Sequence, residues 1–299
     1  GILSKLLFLE NYEVFRYISV LSILILNYLI FKILFLFKIS FNNKIFAVLL
    51  INLNPYVTRF YISNPLMIND LIFHIGVLIS ILSITTKNKK LFYSGLIISI
   101  IARQSGVAVF IAVFFVKIIM NDKFFLDKKD IFYSFILITV LYLIGYIYSL
   151  NTIAHANDRY DQYYVTVLGI FLENKSLKEL LIFFSRPLLC FLPLIVFTFL
   201  SLKIKAIKIQ KNIDLNIYII VFSFLIILQP TLQGIDVSGK NIIRLTSYAF
   251  IPLLIFNYIN STDNEANRFI KNIFLIILLF VWSSHPTFST LSFLDSYRF

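Results

Sequence analysis

IFYSFILITVLYLIGYIYSL, residues 131–150, carries no charged side chain, and its length is that of a bilayer's hydrocarbon core, which an α-helix crosses in roughly 20 residues. Ile273–Val281 is a second run without a charge. Across all 299 residues 59% are hydrophobic and 14% charged, against about 25% charged in a soluble domain. The mean hydropathy of +0.88 points the same way: water is not the main solvent of this chain. Further apolar runs occupy about 17–37, 45–61, 65–84, 91–120, 180–202, 215–229, 245–259 and 272–284. They predict an all-α, polytopic transmembrane helix bundle of roughly eight to ten spans, some short or broken. Residues 1–299 form a single transmembrane domain, with no soluble domain and no internal repeat.

The net charge of +12 comes from Lys and Arg gathered in short connections, so its sign reports topology rather than a nucleic-acid partner. Lys87-Asn88-Lys89-Lys90 is the clearest cytoplasmic marker, and Lys203, Lys205, Lys208 and Lys211 form a second. Between these clusters, 91–120 is too long for one upright span and too short for two, and Arg103-Gln104-Ser105-Gly106 divides it. Two half-helices returning to the side they left would make 121–130 cytoplasmic and 151–179 an external loop. One tilted span would invert everything after it. The second basic cluster favours the half-helices. Cys190 has no partner for an internal disulfide. The chain starts at Gly1 with no initiator methionine and no signal-peptide pattern, which reads as processing or as a fragment.

Charges within apolar runs are the informative exceptions, since each costs roughly 2.5–3.5 kcal/mol near the bilayer centre on insertion scales. Asp70, eleven residues after Arg59, reads either as an acid stabilised by a helix N-terminus or as a group at a cavity mouth that orients Arg59 or a polar ligand. Arg103 and Gln104 lie midway along their run. There they mark either a surface helix break or a cationic group facing a polar cavity, and an arginine fork suits phosphate. Gly239-Lys240-Asn241 and Arg244-Leu245 place two cations at a membrane boundary, where they snorkel or hold a lipid phosphate. Lys240 and Arg244 share one helix face if the helix begins that early. His74, His155 and His285 have no metal-ligand spacing, and Asp158 with Asp161 reads as a solvated loop. No Walker loop, dinucleotide turn, nucleophile elbow or zincin motif is present.

Asn54-Pro55 with Arg59 and Asp70, then a lysine turn, then Ala102-Arg103-Gln104-Ser105-Gly106, and finally Gly239-Lys240-Asn241-x-x-Arg244-Leu245 form a layout over about 14–260. That layout resembles the membrane-embedded GT-C glycosyltransferases, which take sugar from a polyprenyl-phosphate carrier. The resemblance implies inverting, mannosyltransferase-like transfer to a glycan, lipid or protein acceptor. It implies carrier-phosphate binding by Arg59, Arg103, Gln104, Lys240 and Arg244. The class places its principal catalytic carboxylate in a first external loop, so that residue is expected upstream of Gly1, leaving Asp70 as a weak catalytic candidate here. No cofactor is certain, and a divalent cation is the one option the class admits. The expected partners are membrane lipid, the lipid-linked sugar and the acceptor, and the expected location is a bacterial plasma (inner) membrane, in cell-envelope polysaccharide synthesis. Two alternatives stand beside this reading: a transporter or flippase of a lipid-linked sugar or other solute, and a multi-spanning polysaccharide polymerase.

Overall fold

A computed structural model describes residues 11–58, 61, 67–152, 175–203, 212–238, 241–260 and 272–277. Among these every regular element is helical: α1 (Asn11–Leu36), α2 (Phe41–Leu53), α3 (Ile68–Thr86), α4 (Lys89–Ala102), α5 (Val107–Met120), α6 (Lys128–Thr152), α7 (Leu177–Lys203), α8 (Ile213–Leu232), α9 (Gly234–Ser238), α10 (Ile242–Thr246) and α11 (Phe250–Asn260). Four helical stretches among the described residues are long and apolar enough to cross a membrane: Glu13–Leu36, Ile68–Thr86, Ile213–Leu232 and Ile242–Asn260. A bent pair within α7 would make a fifth. The chain is a helical membrane protein.

Both faces of its outer helices are apolar. In α1, Leu26, Ile30, Ile33 and Leu34 are fully buried, while Leu21, Leu24, Tyr28 and Phe35 on the other side are exposed. On α6, Phe132, Phe135, Ile136, Leu143 and Ile144 are exposed. A helix apolar all round belongs inside a larger core or in lipid, and this much outward hydrocarbon is incompatible with water.

The tightest contact in the bundle is the antiparallel α3–α4 hairpin. Lys87 adopts the left-handed conformation (φ 54°), and the Asn88 N–H reaches back to the Ser83 carbonyl at 3.0 Å, which ends α3. The Asn88 side chain then accepts from the Lys90 and Leu91 N–H groups and starts α4. Small residues let the two backbones meet. A Cβ on Gly95 would lie 2.8 Å from the Gly76 carbonyl oxygen, and one on Gly76 would lie 2.7 Å from the Ser99 nitrogen. Gly76-x-x-x-Ser80 faces Gly95-x-x-x-Ser99, the small-residue spacing through which helices approach in lipid.

Beyond Ala102 the backbone breaks. Arg103 is extended (φ −151°, ψ 143°), a 3-10 turn covers Gln104–Gly106, and α5 begins at Val107. Gly106 is required by space: a Cβ there would sit 2.6 Å from the Ser99 and Ile100 backbone. The 14 residues in each of α4 and α5 span about 21 Å at 1.5 Å per residue, short of a full crossing. Contacts at both ends show where the chain goes. Lys89, which opens α4, ion-pairs with Asp127 (3.2 Å) and Asp130 beyond the end of α5, and the Tyr93 hydroxyl donates to Asp130. Further along, the Tyr142 hydroxyl of α6 donates to the Gln104 carbonyl at 2.6 Å. α6 therefore runs alongside α4 in the same direction, and α5 runs back between them. α4 and α5 form a hairpin of two short helices, so residues 121–130 return to the end of the bundle that holds Lys87–Lys90.

α8 packs on α5, and α8 and α11 are joined at that same end by a reciprocal Asn216–Asn260 amide pair (2.9 and 3.2 Å). Asn272 adds a bond to Asn43 nearby. At the opposite end Asn54 closes α2, its side-chain amide donating to the Cys190 carbonyl at 3.2 Å. Between the apolar runs 215–229 and 245–259 lie the end of α8, α9 and the start of α10, because Ile242 and Ile243 are buried and draw the helix start back before Arg244. Residues 153–174 of the expected external loop lie outside the described residues, as do Lys205, Lys208, Lys211, His155, Asp158, Asp161 and His285.

Two measurements check this packing. Gly95→Leu forces a side chain into the Gly76 backbone and is expected to lower stability by about 1–3 kcal/mol or more, the range for overpacking. Gly145→Ala in α6 has open space around its Cβ and should be neutral or slightly stabilising in the same detergent melts. The turn at Asp127 should respond to acid. A hydrogen bond from the Asp130 backbone N–H, and then the Lys89 ammonium, hold the Asp127 carboxyl at about 2 against an ordinary 3.8. A pKa lowered by folding stabilises fully above the unfolded value, and that stabilisation is lost as pH falls through the folded one. Thermal midpoints should therefore drop from pH 5 toward pH 2, and Asp127→Asn should flatten part of that drop.

A carboxylate between two arginines

Three helix boundaries converge at the end of the bundle opposite the Lys87 turn. The first turn of α3 brings Asp70, the break between α4 and α5 brings Arg103, and α10 brings Arg244. The α3–α4 register explains the first pairing. With the turn at 87–88 and Gly76 against Ser99, positions whose numbers sum to about 173–175 face one another, and 70 meets 103.

Asp70 is fully buried. Its Oδ1 accepts from Arg103 Nε and also contacts Arg103 Nη2, while Arg244 Nε stands 3.6 Å from Oδ2. Arg244 Nη1 reaches the Met67 sulfur at 3.0 Å. The carboxylate is sealed at 0% exposure, whereas the Arg103 and Arg244 side chains keep 29% and 15%. The two arginine side chains thus keep some exposure and the acid has none. Among the described side chains two cations meet one anion, a local surplus of one positive charge where charge is costly. A second anion reaching the exposed part of either arginine would balance it, and a phosphate offers several oxygens to forked donors.

Beneath the ion pair lies an aromatic floor. His74, one turn after Asp70, is buried with its ring 5.4 Å from Tyr248 and 6.3 Å from Tyr61, and Tyr248 sits one turn after Arg244. The His74 Nε2 is buried and has no hydrogen-bond partner among the described residues. Such groups are costly unless water or a ligand completes them.

Of the sequence-predicted residues, the structure gathers Asp70, Arg103 and Arg244. Arg59 and Lys240 lie outside the described residues, and α10, which carries Arg244, begins at Ile242. Gln104 stands apart from the cluster: it is exposed, and its backbone carbonyl carries the bond to Tyr142. Asp70 pairs with residues 33 and 174 positions later, and the sequence reading of Asp70 with Arg59 falls on a residue outside the described ones. Sequence reading passed over Met67, Tyr61 and Tyr248. A spacing of four from Arg244 to Tyr248 and from Asp70 to His74 is the signal that could have found the floor. The described residues hold no group of three or more His, Cys, Asp or Glu side chains able to bind a metal ion. Asp70, already neutralised by two guanidiniums, has no spare charge to offer a divalent cation.

No family model, curated protein or solved structure matches the chain.

The ion pair should behave as one unit. Asp70→Asn is expected to destabilise by about 3–5 kcal/mol, because it leaves buried guanidinium charge uncompensated. Arg103→Gln in the Asp70→Asn background should recover more than about 1 kcal/mol of that loss, read as a non-additive double-mutant cycle in unfolding titrations.

Proposed function

We propose that the chain is a membrane-embedded glycosyltransferase of the GT-C kind its sequence layout resembles, transferring a sugar from a polyprenyl-phosphate carrier to a glycan, lipid or protein acceptor in a bacterial plasma membrane. One observation carries this reading: a buried carboxylate that holds two partly exposed arginines, with one positive charge in surplus among the described side chains, at the end of an apolar bundle. A lipid-linked phosphate is the anion that reaches such a place from within a membrane.

In this mechanism Arg103 and Arg244 bind the phosphate oxygens. An acceptor hydroxyl attacks the anomeric carbon and gives up its proton to a base. The bond from that carbon to the phosphate oxygen breaks with inversion, and its electron pair leaves with the polyprenyl phosphate. The two arginines stabilise the charge that develops there. Asp70 is a positioning residue, because both its oxygens face guanidiniums and its buried carboxylate is committed to holding them. Arg59 and Lys240 remain carrier-binding candidates from the sequence layout.

A transporter of lipid-linked sugar is the second reading, favoured by the helix break at Arg103, since broken helices with ends at a polar site are a transporter device. The test uses the full chain in nanodiscs with a radiolabelled polyprenyl-phosphate sugar. Arg103→Gln and Arg244→Gln should each weaken carrier binding about 10–100-fold, the equivalent of one charge-assisted hydrogen bond. Wild-type protein should release free polyprenyl phosphate as acceptor is glycosylated. Carrier binding with movement between leaflets but no release would move the assignment to transport. Wild-type levels of binding in both variants would overturn the phosphate site.

A further inference from the structure

Lys44, in the first turns of α2, is a cation without an anion. The residue is 6% exposed, and its ammonium makes no ion pair or hydrogen bond among the described residues. What holds it is aromatic: Nζ lies 4.5 Å from the centre of the Phe31 ring, 4.8 Å from Phe35 and 6.0 Å from Phe41. Phe31 and Phe35 stand one turn apart on α1, and Phe31 meets Phe41 edge to face at 5.8 Å. Ring faces attract an ammonium but offer its N–H donors no lone pair. A buried cation in that state is costly until an acceptor reaches it.

The same spot is a helix N-terminus. Ser40, directly before α2, makes no side-chain cap bond, and its hydroxyl accepts from the Asn43 side-chain amide at 2.7 Å. The first backbone bond of α2 runs from the Lys44 N–H to the Ser40 carbonyl at 3.1 Å. The N–H groups of Phe41, Asn42 and Asn43 precede it and have no intrahelical acceptor, so their dipoles add positive charge there. Helical side chains lean toward the N-terminus, and the approach of Nζ to the Phe41 ring places the ammonium over that first turn. Lys38 is exposed in the preceding turn, its backbone left-handed at φ 57°. No Asp or Glu occurs between Glu13 and Asp70 to balance these charges.

This turn lies at a polar end of the bundle. Asn43 accepts from Asn272, which accepts from the Tyr258 hydroxyl, at the end that carries Lys87–Lys90 and the Asn216–Asn260 pair. Phe35 and Phe41 are 64% and 62% exposed, an apolar flank beside the cation. A matching occupant brings an oxyanion with hydrocarbon next to it, and carries no cation of its own for Lys38 and Lys44 to repel. We propose that the start of α2 binds the phosphate of an anionic phospholipid headgroup, with the Lys44 ammonium and the open N–H groups of the first turn as its donors. The site lies at the opposite end of the bundle from Asp70 and does not rest on the carrier reading.

The test titrates the full chain in detergent with phosphatidylglycerol or phosphatidylcholine and counts bound lipid by native mass spectrometry, with thermal midpoints alongside. Wild-type protein should retain phosphatidylglycerol the more tightly. Lys44→Met, which keeps an apolar stem among the rings and removes the charge, should lose about tenfold in phosphatidylglycerol affinity, the equivalent of 1.4 kcal/mol. Lys44→Arg should keep it. If Lys44→Met does not fold, Ser40→Asp decides the matter, because a carboxylate cap occupies the same N–H groups. Its thermal midpoint should hold or rise while phosphatidylglycerol affinity falls. Sodium phosphate is the third probe and should compete weakly, since it brings no chain to Phe35 and Phe41. Equal protection by sodium phosphate would overturn the lipid source. Phosphatidylglycerol affinity that the variants leave unchanged, or that merely equals phosphatidylcholine affinity, would overturn the site.

Discussion

Asp70 is the constraint around which this bundle is arranged. A carboxylate at 0% exposure among apolar helices cannot stand alone, and its compensation comes from Arg103 at a helix break and Arg244 at a helix start. Each partner requires a geometric feature. Arg103 reaches the acid because α4 ends where it does, and α4 can end there because the 3-10 turn is compact enough to need Gly106. Arg244 reaches it because the last long apolar stretch begins at Ile242, before the cation rather than after it. One buried charge thus relates three boundaries that lie far apart in the chain.

The close approach of α3 and α4 gives that arrangement its register. Lipid supplies no hydrophobic drive between helices, so contact depends on how near two backbones can come. Gly76 and Gly95 remove the side chains that would separate them, with Ser80 and Ser99 one turn further on. At the Lys87 turn, caps from backbone and Asn88 set the starting point of the hairpin. Small residues and caps act together here: the first determine distance, the second determine phase, and the phase puts 70 opposite 103.

The ends of the bundle divide the work. One end holds polar connections: Lys89 with two aspartates, and an amide pair between α8 and α11. The other holds the cationic cluster and its aromatic floor. The α4–α5 hairpin joins the two ends, returning the chain to the polar connections after carrying Arg103 to the site.

Much of the architecture was legible in the sequence. Charge-free runs of bilayer length identify the solvent, Asn54-Pro55 ends α2, and the polar interruption at Arg103 divides 91–120, because each is a local property of composition. Asp70, Arg103 and Arg244 were each recognisable as costly charges in apolar surroundings. Their association was not, since Asp70 pairs with residues 33 and 174 positions away and no local periodicity records such a meeting. Whether 91–120 crosses or returns was equally open, because two short helices and one tilted helix have the same composition. Tertiary contact decided it: the Lys89 bridges and the Tyr142–Gln104 bond place both ends of the α4–α5 hairpin. The sequence by itself determined which groups are too costly to leave alone in lipid. Only packing decided which of them meet, because compensation depends on distance in space and the backbone can bring helix ends together in more than one way.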